Sequence, residues 1–285
     1  MSPGRTSTGP VRAGPAGTDP ASPAPPPALR LSDVGVVRDR RPLLAGVNWA
    51  VQPGERWVVL GPNGAGKSTL LRVAALYLHP TEGTVEVLGR RLGRVDVRRM
   101  RHRVGYASAM LSDRIRPTIN ALDAVMTARH GALEPWWHSY DDTDRQRAAD
   151  LLERMGCGHL GGQQFGLLSS GERQRVQIAR TLMTEPGLVL LDEPTAALDL
   201  TGREELVRSL DALSADPTTP PTVLVTHHVE EIPAGFDHVL LLREGRVVAA
   251  GPIDEVLTAE RLSACFSMDL ELEHHRGRWW AHATG

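Results

Sequence analysis

Lysine is almost missing from this chain: of 32 lysine and arginine side chains in 285 residues, Lys67 alone is a lysine. A chain that otherwise uses arginine for positive charge keeps a compact ammonium at one place, where a planar guanidinium would not fit. Cysteine is scarce as well. Cys157 and Cys265 stand far apart without metal-ligand spacing, which excludes a disulfide scaffold and suits a reducing compartment. Both read as inert thiols. No apolar run approaches the length of a membrane span, and the N-terminus lacks the apolar core of a signal peptide. A cytoplasmic protein is expected, with any membrane role reached through a partner. Net charge is only −2, with basic and acidic stretches interspersed, so no nucleic-acid partner is expected. There is no internal repeat and no long coiled coil. The length suffices for one or two domains around a sizeable core.

What is present gathers around Lys67. Gly61-Pro62-Asn63-Gly64-Ala65-Gly66-Lys67-Ser68-Thr69 fits G-x-x-x-x-G-K-[ST], the phosphate-binding loop. Arg56 to Leu60 before it reads as a buried strand and Leu70 to Leu76 after it as a helix, the context the motif needs. A chance glycine-rich turn would not bring that context. Glycines let successive N–H groups curl toward phosphate oxygens, and the helix N-terminus adds its positive end. Lys67 supplies a point charge for the β- and γ-phosphates and Ser68 a hydroxyl for Mg²⁺. Downstream, Leu188-Val189-Leu190-Leu191-Asp192-Glu193 is an apolar strand that delivers two carboxylates at its C-terminal edge, where open α/β sheets bind ligands. Asp192 is placed to hold Mg²⁺ and Glu193 is the candidate general base for an attacking water.

The third element is Leu168-Ser169-Ser170-Gly171-Glu172, followed by Arg173-Gln174-Arg175-Val176-Gln177-Ile178-Ala179-Arg180. Here the chain resembles the ATP-binding cassette (ABC) ATPase family, over about residues 29 to 258. The family's usual Leu-Ser-Gly-Gly-Gln is matched at Ser169 and Gly171, with Ser170 and Glu172 departing from it. An ordinary capped helix would explain the cap but not the Gln-Arg-Val-x-Ile-Ala that follows. The resemblance implies that Ser169, Ser170, Gly171 and Glu172 meet the γ-phosphate of ATP held by an opposite subunit. Two ATP molecules would then lie at the interface of a head-to-tail pair. It also implies that Asp199, in Pro194-Thr195-Ala196-Ala197-Leu198-Asp199, crosses to that partner. His227 stands at the family's switch histidine, which contacts the γ-phosphate and orients Glu193 and water, while His228 occupies a place where Asp is common. Two positions depart from the family. Arg38 replaces the aromatic residue that stacks on adenine: it either lies flat on the purine ring or is a solvated loop charge. Ala107-Ser108-Ala109-Met110-Leu111-Ser112 lacks the Gln that touches Mg²⁺ and relays to the membrane subunit. Ser108 or Ser112 substitutes, or water fills the place. Subgroups that include some associated with molybdenum are similar in this Ser-rich segment and in the Ser-Gly-Glu signature.

Along the rest of the chain, residues 1–27 read as a disordered Pro/Gly-rich tail. Residues 28–258 form the ATPase domain, with a helical subdomain at about 112–180, and residues 259–285 a C-terminal extension. Val34 to Val37, Val47 to Val51 and Thr84 to Leu88 read as a small antiparallel layer, and Arg103 to Ala107 as a core strand. Asp142 to Met155 is the clearest amphipathic helix. Trp136 and Trp137 before it are a local core anchor or a partner contact. Thr222 to Val225 is a strand, and His238 to Leu242 pairs with Arg246 to Ala250 across Glu244-Gly245. The tail reads as two short helices and a hairpin, with Trp279 and Trp280 on the sheet or facing a partner; adjacent His274 and His275 point apart, which disfavours a metal site. The expected fold is α/β, a P-loop core sheet with an antiparallel β layer and an inserted helical subdomain. The expected function is a Mg²⁺-dependent ATPase that dimerises on ATP, as a homodimer, and drives an integral membrane permease at the inner face of the membrane. The alternatives are a soluble ABC ATPase acting on a macromolecule in repair or translation, and a nucleotide-binding regulator without turnover.

Overall fold

The computed structural model describes residues 25–108, 115–132 and 138–284. Trp136, Trp137, Ser112 and all but the end of the N-terminal tail lie outside them. The chain begins with β1 (Leu29–Arg38) and β2 (Arg41–Val51), antiparallel neighbours that reverse at Asp39 and Arg40, both left-handed with φ of 48° and 61°. That double positive φ matches the right-handed twist of the strands it joins. After β3 (Arg56–Leu60) and α1 (Lys67–Ala74) come β4 (Glu82–Val87) and the two-residue β5 (Arg90–Arg91). They complete an antiparallel sheet in the order β2-β1-β4-β5. A short α2 (Val97–Arg101) leads to β6 (Val104–Ser108), and the helices α3 (Ala121–Met126), α4 (Asp142–Arg154) and α5 (Ser170–Leu182) follow. Then come β7 (Leu188–Asp192), α6 (Leu200–Ser214), β8 (Thr222–Val225), β9 (His238–Arg243) and β10 (Arg246–Pro252). The main sheet runs β10-β9-β3-β8-β7-β6, parallel throughout except for β10 on its edge. The chain closes with α7 (Ile253–Val256), α8 (Ala259–Phe266) and the hairpin β11 (Leu270–His275) and β12 (Arg278–Ala283).

The central strands β3, β7 and β8 are each apolar at every position but one, Arg56, Asp192 and Thr222 being the exceptions, because both faces of the main sheet are covered. Val58, Leu60, Val189, Leu191, Leu224, Val239 and Leu241 face one side, where Val176, Ile178 and Ala179 of α5 and Leu206 and Leu210 of α6 meet them. Trp57, Val59, Leu188, Leu190, Val223, Val225, Leu240 and Leu242 face the other, against Leu70, Leu71 and Val73 of α1 and the inner residues of the antiparallel sheet. α1 is thus held between two sheets, and the loop at its start is fixed from both sides. The expected parallel core, antiparallel layer and helices inserted between β6 and β7 are all present. Asp141, Ser169 and Asp199 cap α4, α5 and α6, satisfying N–H groups that the helices leave free. Cys157 and Cys265 are free and buried. Among the described residues, no helix is long and apolar enough to cross a membrane.

Candidate nucleotide site

The loop that leaves β3 enters α1 through Gly66, the helix N-cap, at φ 102°. A Cβ there would stand 2.7 Å from the Leu43 carbonyl oxygen, and one on Gly61 would stand 2.0 Å from that of Leu242. Backbone of β2 and β9 presses against the loop, so its curve is imposed from outside. No side chain caps α1, which leaves its first N–H groups at the positive end of the dipole, an arrangement suited to an anion. The loop also contains Pro62, Asn63, Gly64 and Ala65, with Ser68 and Thr69 on the first turn of the helix; Asn63 and Gly64 are its exposed crest.

Lys67 is buried beneath this crest. Its ammonium donates to the carbonyls of Gly61 at 2.8 Å and Pro62 at 3.1 Å, and lies 3.5 Å from Glu193 Oε1. Burial lowers the Lys67 pKa, and the Glu193 carboxylate opposes that shift. Ser68 donates its hydroxyl to Asp192 Oδ1 at 2.9 Å, and the Tyr106 hydroxyl donates to Asp192 Oδ2 at 3.1 Å. Burial raises the Asp192 pKa against these two hydrogen bonds. Burial together with the Asp192 charge pushes the Tyr106 phenol up to about 12. Glu193 adopts φ 48°, a left-handed conformation uncommon outside glycine, while its N–H donates to the Val225 carbonyl at 3.1 Å. Such strain is often found at functional positions. From the end of β8, His227 brings Nδ1 to 3.6 Å from Glu193 Oε1, with the His228 ring tilted against it at 4.1 Å. The ends of β3, β7 and β8 therefore bring Lys67, Ser68, Asp192, Glu193 and His227 to one edge of the sheet.

The signature residues are arranged differently. Ser169 and Glu172 form a reciprocal capping box: the Glu172 N–H donates to Ser169 Oγ at 3.3 Å and the Ser169 N–H to Glu172 Oε2 at 2.8 Å. That bond holds the Glu172 carboxyl below its ordinary range. Ser169 and Ser170 are exposed, and Gly171 is buried against Gly202, where a Cβ would come within 3.1 Å of the Gly202 Cα. No hydrogen bond or ion pair joins residues 169–172 to the loop 61–69 among the described residues. Asp199 accepts from the Gly202 N–H at 2.8 Å as the cap of α6. Arg38 is exposed at the end of β1, cross-strand from Arg41. Ser108 lies opposite Asp192 in the register of β6 and β7, on the strand end where the sequence offers no Gln.

Two participants escaped the sequence. Tyr106 belongs to the site through Asp192, and its only sequence signal is a polar aromatic near the C-terminal end of a core strand. Glu231 is buried and accepts the hydroxyls of Thr195, at 2.6 Å, and of Thr226. It ties the loop after Glu193 to the residue before His227. An acid four residues beyond His227, in a turn, is a signal that also fits an ordinary surface.

Known proteins share this fold. The sequence model of the ABC transporter family matches residues 44–196. The uncharacterized ABC transporter ATP-binding protein YlmA of Bacillus subtilis (strain 168) is 35% identical over 251 residues, spanning 88% of this chain and 95% of that one. CbiO1 from Clostridium perfringens, part of the ABC transporter complex CbiONQ, superposes with a TM-score of 0.71 at 26% identity, covering 84% of this chain and 93% of that one. The ATP-binding cassette MJ0796, solved as a dimer in a post-hydrolysis state bound to ADP and Pi, superposes with a TM-score of 0.67 at 25% identity, covering 79% of this chain and 98% of that one. On the match of the family model, the identity to these relatives and the shared fold, the chain belongs to the ABC transporter family as one of its ATP-binding, ATP-hydrolysing subunits.

Proposed function

We propose that this chain binds Mg²⁺-ATP at the edge formed by β3, β7 and β8, closes head-to-tail on a second copy of itself, and by hydrolysis drives a separate membrane permease from the cytoplasmic face. The observation that carries the reading is the meeting of Lys67 and His227 on one carboxylate oxygen of Glu193, at 3.5 and 3.6 Å. In the hydrolytic step a water attacks the γ-phosphorus in line. A new P–O bond forms as the bond to the β–γ bridging oxygen breaks, and ADP leaves with that electron pair. Glu193 takes the water's proton, and His227 holds Glu193 and the γ-phosphate in register. The Lys67 ammonium and the N–H groups at the start of α1 stabilise charge on the phosphate oxygens. Ser68 Oγ and Asp192 Oδ1, 2.9 Å apart, are a hard oxygen pair of the kind Mg²⁺ takes. Held by them, Mg²⁺ supplies Lewis-acid neutralisation of the phosphates.

The same reading assigns Ser169, Ser170, Gly171 and Glu172 to the γ-phosphate of the opposite subunit, with Asp199 near the crossing. The dimeric state of MJ0796 supports the pairing, and the place of CbiO1 in a transporter complex supports the permease partner. These relatives favour a transporter subunit over a soluble repair or translation ATPase. Arg38, with exposed Val37 and Leu43 beside it, offers a flat cation and apolar surface for the purine. The test is Glu193→Gln. Phosphate release should fall about 10²- to 10⁴-fold, with ATP retained at the wild-type stoichiometry. Turnover at the wild-type rate would remove Glu193 as the base.

A further inference from the structure

The C-terminal hairpin ends on the loops that carry the chemistry. β12 packs along the single-turn 3-10 helix Val229–Glu231, which follows His227. Arg278, the first residue of β12, forks onto Glu204 of α6: Nη1 donates to Oε2 at 3.0 Å and Nη2 to Oε1 at 3.2 Å. Nη2 also donates to the Glu230 carbonyl at 2.5 Å. The fork holds the Glu204 carboxyl below its ordinary range, and a planar guanidinium is the group that can serve a carboxylate and a carbonyl in one plane. The hairpin does not depend on Arg278 alone for its place. Trp279 is half-buried against the core, and the His274 ring stacks on it at 4.1 Å and 11°.

From Glu230 the connection continues inward. Glu231, the next residue, is buried and accepts from Thr195 Oγ1 at 2.6 Å and from Thr226 Oγ1. Thr195 stands two residues after Glu193, and Thr226 immediately precedes His227. Hydrogen bonds linked by short stretches of backbone therefore lead from an element at the end of the chain to the neighbours in sequence of both groups that handle the attacking water. We propose that Arg278 is a positioning residue for hydrolysis. By pinning the Glu230 carbonyl against Glu204 it fixes the turn whose Glu231 sets Thr195 and Thr226, and with them Glu193 and His227. This rests on the assignment of Glu193 and His227 made above. Among the described residues, no hydrogen bond or ion pair joins Arg278, Glu204, Glu231, Thr195 or Thr226 to Lys67, Ser68 or the loop that holds the phosphates, so binding and turnover should separate.

The experiment compares purified full-length wild type, Arg278→Ala, Arg278→Lys, Glu204→Gln and His227→Ala for ATP turnover with magnesium and for the number of ATP molecules bound per chain. In Arg278→Ala, kcat should fall on the order of tenfold, since small misplacements of reacting groups are costly. KM and the bound ATP per chain should stay at wild-type values, the pattern of an interaction made only in the transition state. Arg278→Lys should recover part of the loss. Glu204→Gln, which leaves the hairpin intact, should lie between. A merely structural role would lower binding stoichiometry and turnover together, and that outcome overturns the inference. So does a wild-type kcat in Arg278→Ala while His227→Ala is inactive. If His227→Ala itself turns over normally, the underlying assignment fails, and this inference with it.

Discussion

At Gly66 the backbone reaches φ 102° in a space where a Cβ would press on the Leu43 carbonyl oxygen at 2.7 Å. The obstacle is backbone, which cannot swing away as a flexible side chain would. Gly66→Ala should therefore cost about 1–3 kcal/mol in stability, and by reshaping the N–H cradle it should abolish the rise in melting temperature that ATP gives the wild type. Thermal unfolding with and without ATP measures both, and a normal ATP-dependent rise would show that the curve of the loop is not needed. Residues of this kind are legible in sequence because their motif is contiguous: Gly66, Lys67 and Ser68 stand in one string, and Asp192 and Glu193 in another. Tyr106 and Glu231 were not legible. Each acquires its role from a partner distant along the chain, Asp192 for the former and Thr195 for the latter, and no local pattern reports such a pairing.

Among the elements, α5 shows how a departure from a family motif can be physically neutral. Glu172 occupies the third helical position and closes the capping box with Ser169. Glutamate and glutamine both satisfy that box, so Glu172→Gln should fold normally. The two differ in charge, and the Glu172 carboxyl is held below its ordinary range by the Ser169 N–H. A depressed carboxylate contributes stability above its unfolded pKa of about 4.3 and loses it as the pH falls through the folded value. Wild type should exceed Glu172→Gln by less than about 1 kcal/mol at pH 7, and the gap should close as the pH drops below the ordinary glutamate range. Denaturant unfolding of both proteins across that range checks it; a gap that widens in acid would refute it. Strands of the main sheet were legible as apolar runs because both their faces are buried. β1 was read only in part because its register with β2 shifts between Leu31 and Val34, again before Val36 and again before Val37. Those irregularities break the alternation on which a half-buried strand is recognised.

For the whole molecule, the proposed head-to-tail pairing assigns each copy two half-sites, and no hydrogen bond or ion pair joins them among the described residues. The phosphate loop with Glu193 and His227 lies at one sheet edge, and exposed Ser169 and Ser170 stand at the N-terminal tip of α5, where the Ser169 side chain serves the capping box with Glu172. The hairpin at the chain's end was legible as a hairpin, yet its seat on the turn after His227 was not, since nothing in its own sequence says what it covers. If hydrolysis needs both half-sites, two chains with different defects should repair each other. Lys67→Ala spoils the loop and leaves α5 intact. Ser170→Arg places a bulky cation on an exposed helix position, where it leaves the loop and the fold intact but blocks the approach of a partner's phosphates. Each variant alone should be inactive. Mixed, the loop of the Ser170→Arg chain can close on α5 of the Lys67→Ala chain, and one composite site in the pair is whole. Phosphate release should then appear on mixing, rise with the concentration of either partner, and stay below the wild-type rate, because the second site contains both defects. Two folded variants that remain silent together would mean that the chain hydrolyses ATP without a shared site.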